Sequence, residues 1–403
     1  MIHVAVLGYG TVGSGVVEVI QRNSEIIAAR VGDEVNVKYI LDLREFPGDP
    51  NEALVVHDVD TIINDPEVSI VCETMGGVGA AYKFTKAALM KGKSACTSNK
   101  ELVALYGPEL LQVAKDNNAS YLFEASVGGG IPIIRTILEA LTAEKIDEIQ
   151  GILNGTTNYI LTKMEKEGAA FETVLKEAQD KGYAEKDPTA DVEGFDAVRK
   201  IAILSSLVYG KHVNFEKIFT EGITKITPED FAYAKELGRT IKLIAMSKEN
   251  QTGRYAMVTP RMIDNTNPLY CAQDVFNAVL VHSNMLDYSM YYGRGAGKLP
   301  TASAVVGDVI ELAMNLGKNI NIVWSAEEVD MLSKDDMVQR YFVRIDGDEN
   351  DKIGTVKAAF GDVQIVKAPG VNGEFGFVTR EMSEKDYAGC AVKVDGIKGM
   401  IRI

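Results

Sequence analysis

The feature that most constrains the fold is an apolar, strand-like run followed directly by a glycine-rich turn. Residues 2–7 read IHVAVL, the pattern of a buried parallel strand, and GYGTVG follows at once. Its three glycines match G-x-G-x-x-G, and a helix-like run then covers residues 11–29. Such glycines permit a tight turn, backbone approach to a pyrophosphate and close helix packing, so the segment predicts a dinucleotide site. The residues expected to contact the cofactor there are Gly8, Gly10, Thr11, Val12 and Gly13.

Strands and helices continue to alternate through the first 131 residues. Further strands are predicted at residues 35–41, 69–72, 94–96 and 120–123, and helices at residues 78–90 and 107–117. This order predicts an α/β fold with a Rossmann-type doubly wound sheet, which binds ligands beyond the carboxyl ends of its strands. Polar groups follow the strands at residues 73–74, 98–100 and 124–126.

Two of these positions are candidates for function. Lys100 follows a strand at the place where the nicotinamide ring is expected, although a helix-start lysine that faces water would look the same. Residues 127–132, VGGGIP, form a glycine-rich turn that would expose backbone carbonyl and N–H groups. That turn is either an ion site or a plain strand-to-helix crossover.

The end of the second strand bears on the choice between NAD and NADP. An acidic residue there usually binds the adenosine ribose hydroxyls of NAD, and a basic residue favours the 2′-phosphate of NADP. Asp42 and Arg44 are both present. Because an arginine can pair a phosphate bidentately, we lean towards NADP, with Arg44 as a cofactor residue.

An acidic stretch, defined here as residues 182–200, GYAEKDPTADVEGFDAVRK, is the strongest candidate for substrate binding. Its first part reads as a loop, and from Glu193 onward the apolar residues suit a buried helix. Asp196 and Lys200 are then one turn apart on one face. The pattern suggests a site for a cationic, polar substrate. A solvated acidic turn followed by an ordinary ion pair is the alternative.

Composition excludes several classes of protein. The 403 residues are 46% hydrophobic and 25% charged, as in a soluble protein of two or three domains. A net charge of −15 argues against a nucleic-acid or membrane surface. No run has transmembrane length, and Met1 leads straight into a strand, so no signal peptide is expected. Four single cysteines argue against disulfides, and we expect a cytoplasmic protein.

The remainder of the chain predicts a second and a third domain. Strand-like runs from residue 146 to residue 283 suggest a second sheet, expected to be antiparallel and helix-covered, in an α+β domain that could also form a dimer interface. A glycine-rich loop, residues 293–297, precedes a helix that suggests a return to the nucleotide domain. From residue 341 the predicted order is β-α-β-β-α-β, with its first helix at residues 353–360.

With these pieces in order, the chain resembles the homoserine dehydrogenases over residues 1–325. The motifs that carry the resemblance are GYGTVG, TSNKEL, EASVGGGIPI, NGTTNYIL, GYAEKDPTADVEGFDAVRK and GRGAGKLPTASAV. The resemblance implies reversible reduction of L-aspartate 4-semialdehyde to L-homoserine with NADP or NAD, a step in threonine and methionine biosynthesis. It also implies a Rossmann domain at residues 1–131, completed by residues 299–325, a catalytic and dimerisation domain at residues 132–298, and an assembly as a homodimer or homotetramer.

The resemblance further implies roles for individual residues. Lys200 and Lys100 match the two active-site lysines, and we expect Lys200 to act as general acid/base while Lys100 polarises the carbonyl and touches the cofactor. The other expected substrate residues are Glu185, Asp191 and Asp196, and the other cofactor residues are Thr74 and Gly297. A monovalent cation, Na⁺ or K⁺, would bind through Glu124, Val127, Gly129 and Ile131.

The tail, residues 340–403, resembles a shortened ACT-like regulatory or assembly domain. Such domains commonly sense an amino acid, here threonine. Residues 348–354, DENDKIG, stand where ACT domains usually have an Asp-x-Pro-Gly turn, so we expect a βαββαβ module that serves assembly more than feedback.

Two rival functions share parts of this pattern. A non-catalytic NAD(P)-sensing regulator with an ACT tail would have no reason to keep both lysines with Glu185 and Asp196. An aspartate-semialdehyde dehydrogenase would need a nucleophilic cysteine, whereas Cys72 and Cys96 read as strand residues.

Overall fold

The computed structural model describes all 403 residues, Met1 to Ile403, in two compact units. Unit 1 comprises Met1–Glu144, Ala202–Phe215 and Gly293–Val329. Unit 2 comprises Lys145–Ile201, Glu216–Tyr292 and Asp330–Ile403. No helix combines the length and apolar character needed to cross a bilayer.

The regular elements follow in chain order. The strands are β1 (Ile2–Leu7), β2 (Val35–Leu41), β3 (Val55–Val56), β4 (Val68–Glu73), β5 (Ser94–Thr97), β6 (Tyr121–Leu122), β7 (Ile146–Ile152), β8 (Lys211–His212), β9 (Phe219–Thr220), β10 (Arg239–Asn250), β11 (Gly253–Asp264), β12 (Phe276–Ser283), β13 (Asp287–Arg294), β14 (Ser325–Glu328), β15 (Val338–Gln339), β16 (Tyr341–Asp346), β17 (Gln364–Val366), β18 (Glu374–Val378), β19 (Met382–Ser383) and β20 (Ile397–Arg402). The α-helices are α1 (Thr11–Arg22), α2 (Ser24–Val31), α3 (Val59–Ile63), α4 (Gly79–Met90), α5 (Lys100–Asp116), α6 (Ile133–Arg135), α7 (Gly155–Glu167), α8 (Phe171–Asp180), α9 (Thr189–Val192), α10 (Phe195–Tyr209), α11 (Pro228–Glu236), α12 (Lys298–Met314), α13 (Glu349–Phe360) and α14 (Glu384–Ala391).

Unit 1 is built on a six-stranded parallel sheet. Its strand order is β3-β2-β1-β4-β5-β6, which is the doubly wound order of dinucleotide-binding folds and confirms the predicted Rossmann-type sheet. The central strands β1 and β4 are almost wholly buried, as apolar strands covered on both faces must be. α12 packs against α1, where a Cβ on Gly15 would lie 2.9 Å from the Cβ of Ala302.

Two helix boundaries in unit 1 differ from the sequence prediction. The run at residues 11–29 is two helices, α1 and α2, because Asn23 adopts a non-helical conformation between them. α5 begins at Lys100, seven residues before the predicted start, because the side chain of Asn99 accepts the Leu102 N–H and caps the helix. The predicted helix start, Gly107, lies inside α5, where it packs closely on the Trp324 ring.

Unit 2 is built on a ten-stranded sheet. Its main order is β13-β12-β7-β10-β11-β20-β16-β18-β17, with β9 also paired to β11. The long hairpin β10–β11 is antiparallel, as are β7 with β10 and β7 with β12. The sheet is mixed rather than wholly antiparallel, because β11 pairs in parallel with both β9 and β20. Its apolar core includes Ile152, Ile244, Met257, Leu269 and Leu280.

The last part of unit 2 has the predicted β-α-β-β-α-β order. The elements β16, α13, β17, β18, α14 and β20 form a sheet in the order β20-β16-β18-β17, the arrangement of a ferredoxin-like unit. α13 begins at Glu349, four residues before the predicted start, because Asp348 caps it through the Asn350 N–H. This subdomain has its own core, which includes Tyr341, Val356, Phe360, Phe377 and Tyr387.

Candidate active site

The turn between β1 and α1 is closed on one side by direct backbone packing. A Cβ on Gly13 would lie 1.8 Å from the carbonyl oxygen of Gly8, and Gly8 has a φ of +93°. The Thr74 hydroxyl, at the end of β4, lies 3.0 Å from the carbonyl oxygens of both Leu7 and Gly8. On the other side, a Cβ on Gly10 would meet no atom within 4 Å. Only glycines at positions 8 and 13 allow this turn to form.

The open side of the turn fits a dinucleotide. No side chain caps the N-terminus of α1, so its first N–H groups remain for a phosphate. A cavity of 520 Å³ adjoins the turn, a size typical of cofactor sites. Its lining includes Gly8, Gly10, Asp42, Arg44, His57, Thr74, Met75, Gly76 and Phe84.

Asp42 and Arg44 form one tight ion pair at the end of β2. The guanidinium donates to Asp42 through Nε at 2.9 Å and through Nη2 at 2.9 Å. The Tyr9 N–H donates to the same carboxylate at 2.9 Å. The Arg44 hydrogen bonds hold the pKa of Asp42 well below its usual range. The acid that would bind a ribose is therefore charged and already neutralised by the base that would bind a phosphate.

A buried carboxyl group, Glu73, ties together the ends of β4 and β5. Its oxygens accept the Met75 N–H at 2.7 Å and the Thr97 hydroxyl at 2.5 Å. Thr97 Oγ1 in turn accepts the Asn99 N–H at 2.9 Å. Burial raises the pKa of Glu73 to about 7, against the smaller lowering effects of Thr97 and Met75. Glu73 therefore links the loop that lines the cofactor cavity to the residue that caps α5.

Lys100 is the first residue of α5, at the carboxyl edge of the parallel sheet, and is half-buried. The cap residue Asn99 donates its side-chain N–H to the Gly77 carbonyl at 2.7 Å, which holds the helix start against the loop after β4. The position of Lys100 is thus set by its neighbour Asn99, which bonds both to the loop after β4 and to the first turn of α5.

Two glycine-rich loops of unit 1 pack backbone to backbone. The Gly130 N–H donates to the Arg294 carbonyl at 3.0 Å, and a Cβ on Gly129 would lie 2.4 Å from the Gly295 carbonyl oxygen. Gly297, with a φ of +121°, then leads into α12. Position 129 could therefore not carry a side chain without displacing the second loop.

Glu124 lies buried beside the first of these loops. Its oxygens accept the Ile134 N–H at 2.9 Å and the Arg135 N–H at 2.6 Å, so it caps the short helix α6. Each carboxylate oxygen keeps a second lone pair. With the carbonyl oxygens of Val127, Gly129 and Ile131, this chemistry suits a hard cation, which prefers oxygen ligands.

In unit 2 the residues of the acidic stretch meet at the end of β7. The side-chain Nδ2 of Asn154 donates to Asp191 Oδ1 at 2.7 Å and to Asp196 Oδ2 at 2.9 Å. The same residue caps α7, because its Oδ1 accepts the Thr157 N–H at 2.8 Å. One amide group therefore holds two carboxylates in place, and one of them, Asp196, is buried.

Lys200 joins this cluster from the next turn of α10. Its Nζ donates to Asp196 Oδ2 at 2.7 Å and to the Leu153 carbonyl oxygen at 2.8 Å. An ammonium group has three N–H donors, so these two bonds leave one for another acceptor. The side chain is only 12% exposed, which makes the alternative of an ordinary solvated ion pair a poor description.

The structure does not bring every acidic side chain into the cluster. Glu185 is exposed, and its backbone carbonyl rather than its carboxylate is bonded, accepting the Gln179 side chain at 3.1 Å. Asp187 caps the turn into α9 through Thr189. Glu193 accepts the Thr224 hydroxyl at 3.1 Å.

A dinucleotide turn with its cavity, together with a buried lysine beside two fixed carboxylates, defines an NAD(P)-dependent oxidoreductase. The doubly wound sheet and the dinucleotide turn both indicate this class of enzyme.

Comparisons with known proteins identify the family. The model of the homoserine dehydrogenase NAD-binding domain matches residues 8–124, and the homoserine dehydrogenase model matches residues 132–310. The homoserine dehydrogenase of Bacillus subtilis strain 168 is 39% identical over 403 residues, covering 96% of this chain and 93% of its own. The crystal structure of the Thiobacillus denitrificans homoserine dehydrogenase is 35% identical with a TM-score of 0.91, over 100% of this chain and 97% of that one. A hyperthermophilic archaeal homoserine dehydrogenase in complex with NADPH is 28% identical with a TM-score of 0.68, over 80% of this chain and 99% of that one.

The chain belongs to the homoserine dehydrogenase family. This confirms the predicted enzyme, its use of NAD(P) and its part in amino-acid biosynthesis. The rival interpretation as a non-catalytic sensor is not favoured.

Three contributors to the site were missed by sequence reasoning. Asn154 was visible as a helix cap, but its bonds to Asp191 and Asp196 span 37 and 42 residues. The Leu153 carbonyl carries no side-chain signal at all. Glu73 was named among the polar groups at the edge of the sheet but was given no role, although an acid that ends a mostly apolar strand must be hydrogen-bonded if it is buried.

Replacement of Glu73 by Gln is expected to flatten the pH dependence of unit 1 stability. With a folded pKa of about 7 and an unfolded value of 4.5, the stabilising effect of the protonated form is complete below 4.5 and is lost as pH rises to 7. That loss is on the order of 3 kcal/mol. Gln keeps the acceptor oxygen and has no proton to lose.

Urea unfolding followed by tryptophan fluorescence measures this effect, because the chain has a single tryptophan, Trp324, and it lies in unit 1. Wild type should lose stability between pH 4.5 and 7, and Glu73→Gln should lose less. Glu25→Gln, on the exposed surface of α2, is the control and should follow wild type. Parallel curves for wild type and Glu73→Gln would contradict the role given to Glu73.

Proposed function

We propose that the chain catalyses the reversible reduction of L-aspartate 4-semialdehyde to L-homoserine, with Lys200 as general acid/base. The observation that carries this proposal is the fixed position of the Lys200 ammonium, held by Asp196 and the Leu153 carbonyl with one N–H left over. A general acid must present a proton along a defined direction, and these two bonds supply that direction.

The chemistry needs one hydride and one proton. The nicotinamide cofactor, when bound, supplies the hydride to the carbonyl carbon or accepts it in the reverse direction. As the C–H bond forms, Lys200 gives the proton of its third N–H to the carbonyl oxygen, directly or through a water, and becomes a neutral amine. In the reverse direction this amine takes a proton from the hydroxyl. Lys100 polarises the carbonyl as a second cation and contacts the cofactor.

The carboxylates bind the other end of the substrate. We assign Asp196 and Glu185 to the ammonium and hydroxyl groups of homoserine, and Asp191 to the support of the loop. Two observations support this: Asn154 fixes Asp191 and Asp196 as a pair, and the exposed Glu185 carboxylate has no partner in unit 2 that would occupy it. A charged acceptor suits an ammonium substrate.

The cofactor would lie on the turn between β1 and α1. We assign its binding to Gly8, Gly10, Thr11, Val12, Gly13, Arg44, Thr74, Lys100 and Gly297. The unclosed face of Gly10, the uncapped N-terminus of α1 and the adjoining cavity support this assignment. The archaeal relative whose structure holds NADPH favours NADP as the cofactor.

We propose three functional domains and a cation site. Residues 1–131 with 299–325 bind the cofactor, residues 132–298 carry catalysis and dimerisation, and residues 340–403 are an ACT-like module. A Na⁺ or K⁺ ion bound by Glu124, Val127, Gly129 and Ile131 would fix the glycine-rich turn.

We also propose a cytoplasmic location, because the four free cysteines suit a reducing compartment.

We propose a homodimer that forms through β13, or a homotetramer if the tail also pairs between chains. β13 is an edge strand of the ten-stranded sheet. Along one face it exposes Tyr288, Met290 and Tyr292, and Met285 and Leu286 are exposed just before it. A long, apolar edge strand is a surface that soluble proteins normally cover.

Lys200→Ala is expected to lower homoserine-dependent turnover by about a hundredfold or more, because general acid/base catalysis contributes roughly 10²–10⁴. Cofactor affinity should stay nearly unchanged. Initial rates with NAD and NADP, over a range of homoserine concentrations, measure both quantities. Lys176→Ala is the matched control, since Lys176 also pairs with an aspartate one turn away but is exposed. Near-normal turnover of Lys200→Ala would refute the assignment.

Arg44→Ala is expected to weaken NADP binding and to spare NAD or improve it. Without the guanidinium, the Asp42 charge would repel a 2′-phosphate but would be released to bind ribose hydroxyls. Loss of one charge-assisted pair predicts a rise of about tenfold or more in the KM for NADP. Asp42→Asn, which removes the repulsion instead, is the opposing control. Equal effects of Arg44→Ala on the two cofactors would show that it does not select between them.

Removal of residues 340–403 is expected to reduce oligomer size or melting temperature. β17 forms the far edge of the sheet and is available for pairing between chains, whereas β20 is already paired to β11. Light scattering and calorimetry of the intact and shortened chains measure the effect. We expect no saturable binding of threonine to the intact chain. Threonine binding that disappears with the tail and inhibits the enzyme would show that the tail is a working sensor.

A further inference from the structure

The last strand of the chain ends in a buried arginine that reaches outside the tail. Arg402 is 2% exposed and donates through Nη1 to Glu221 Oε2 at 2.5 Å. Its guanidinium also lies 5.2 Å from the centre of the Phe219 ring. Glu384, within the tail, accepts from its other nitrogens. Arg402 therefore bridges the tail and the segment of residues 219–224, called here the support segment.

The support segment is packed directly on the acidic stretch. The Ile223 N–H donates to the Val192 carbonyl at 2.8 Å, and the Thr224 hydroxyl donates to Glu193 at 3.1 Å. These acceptors lie between Asp191 and Asp196. A movement of the support segment would therefore be transmitted to both carboxylates that Asn154 holds.

Steric contacts make this junction stiff. A Cβ on Gly222 would lie 2.3 Å from the Val192 carbonyl oxygen and 2.6 Å from the Glu193 Cα. A Cβ on Gly194 would lie 2.9 Å from the Thr220 methyl group. At Gly222 the two segments touch through backbone, which cannot relax by a change of rotamer.

Glu221 is the last residue of the support segment whose backbone is hydrogen-bonded to the ten-stranded sheet. β9 pairs with β11 as far as Thr220, and the Glu221 N–H donates to the Val258 carbonyl at 2.8 Å. The Ile223 N–H turns instead to the acidic stretch. The ion pair of Arg402 with Glu221 therefore acts where the support segment passes from its hydrogen bonds with β11 to those with the acidic stretch.

We infer that Arg402 is a positioning residue for substrate binding, acting through Glu221 on the backbone of Val192 and Glu193. The inference rests on the substrate role proposed above for Asp191 and Asp196. It gives the C-terminal tail a direct part in the geometry of the acidic stretch, separate from assembly and from any effector.

The test compares Arg402→Met, Glu221→Gln and the double variant by steady-state kinetics on the full chain. Small displacements at a site are costly in rate or binding, and we expect Arg402→Met to raise the KM for homoserine about tenfold. The KM for the cofactor should stay within about twofold. The double variant should be no worse than the more affected single variant, because both break one interaction. Glu221→Gln keeps the shape of the side chain and serves if Arg402→Met folds poorly.

Arg344→Met is the matched control. Arg344 is also buried in the tail and pairs with Asp230 at 2.9 Å and Glu374 at 2.8 Å, but its partners do not include the support segment. It should lower the melting temperature as Arg402→Met does, while the KM for homoserine stays within about twofold of wild type. An equal rise of that KM in both variants, an equal rise for homoserine and cofactor, or no rise in Arg402→Met and Glu221→Gln would each overturn the inference.

Asp196→Asn, measured in parallel, separates this inference from the proposed function. If Asp196→Asn leaves the KM for homoserine unchanged, the substrate role itself is wrong and the inference falls with it. If Asp196→Asn raises that KM while Arg402→Met does not, the proposed function stands and only the positioning role is refuted.

Discussion

The side-chain amide of Asn154 is the interaction on which the substrate half of the candidate site depends. Two carboxylates, Asp191 and Asp196, share its one NH₂ group, and this attraction offsets their mutual repulsion. The amide oxygen caps α7 at the same time, so it cannot rotate without the loss of that cap. The preceding carbonyl, of Leu153, accepts from Lys200. A single strand end therefore sets the positions of this lysine and of both carboxylates.

The cofactor half is organised by the opposite means, namely the absence of side chains. A Cβ on Gly13 would collide with the Gly8 carbonyl, and Gly8 itself adopts a φ of +93°, a conformation that favours glycine. The polar side chains that contact the turn come from outside it: the Thr74 hydroxyl lies against the carbonyls of Leu7 and Gly8, and Asp42 accepts the Tyr9 N–H. The conformation of the turn is therefore set mainly by steric limits, and the arrangement of the acidic stretch is set by hydrogen bonds. The two parts of the site should respond to different substitutions.

The sequence predicted those features that local rules control. The strand, turn and helix around GYGTVG, the pairing of Asp196 with Lys200 one turn later, and the βαββαβ order of the tail all depend on short-range patterns. Helix starts were less accurate where a capping side chain lies upstream of the predicted start, as Asn99 does for the helix predicted from residue 107. What could not be predicted were contacts between distant residues. Arg402 and Glu221 are 181 residues apart, and no periodicity or motif in either segment indicates the other.

Buried ion pairs such as that of Arg402 are a weak source of stability, because desolvation of both charges offsets most of their attraction. Apolar side chains in place of the whole cluster, the arginine and both of its carboxylates, would hold the tail to the sheet at least as well, whereas loss of the arginine alone leaves the carboxylates uncompensated. What a guanidinium adds is direction, since its planar donors fix the carboxylates they meet within a narrow range of geometry. Here the two carboxylates belong to α14 and to the segment that supports the acidic stretch. A charged pair at this position is therefore better explained by a requirement for accurate placement of the loop than by a requirement for a stable fold.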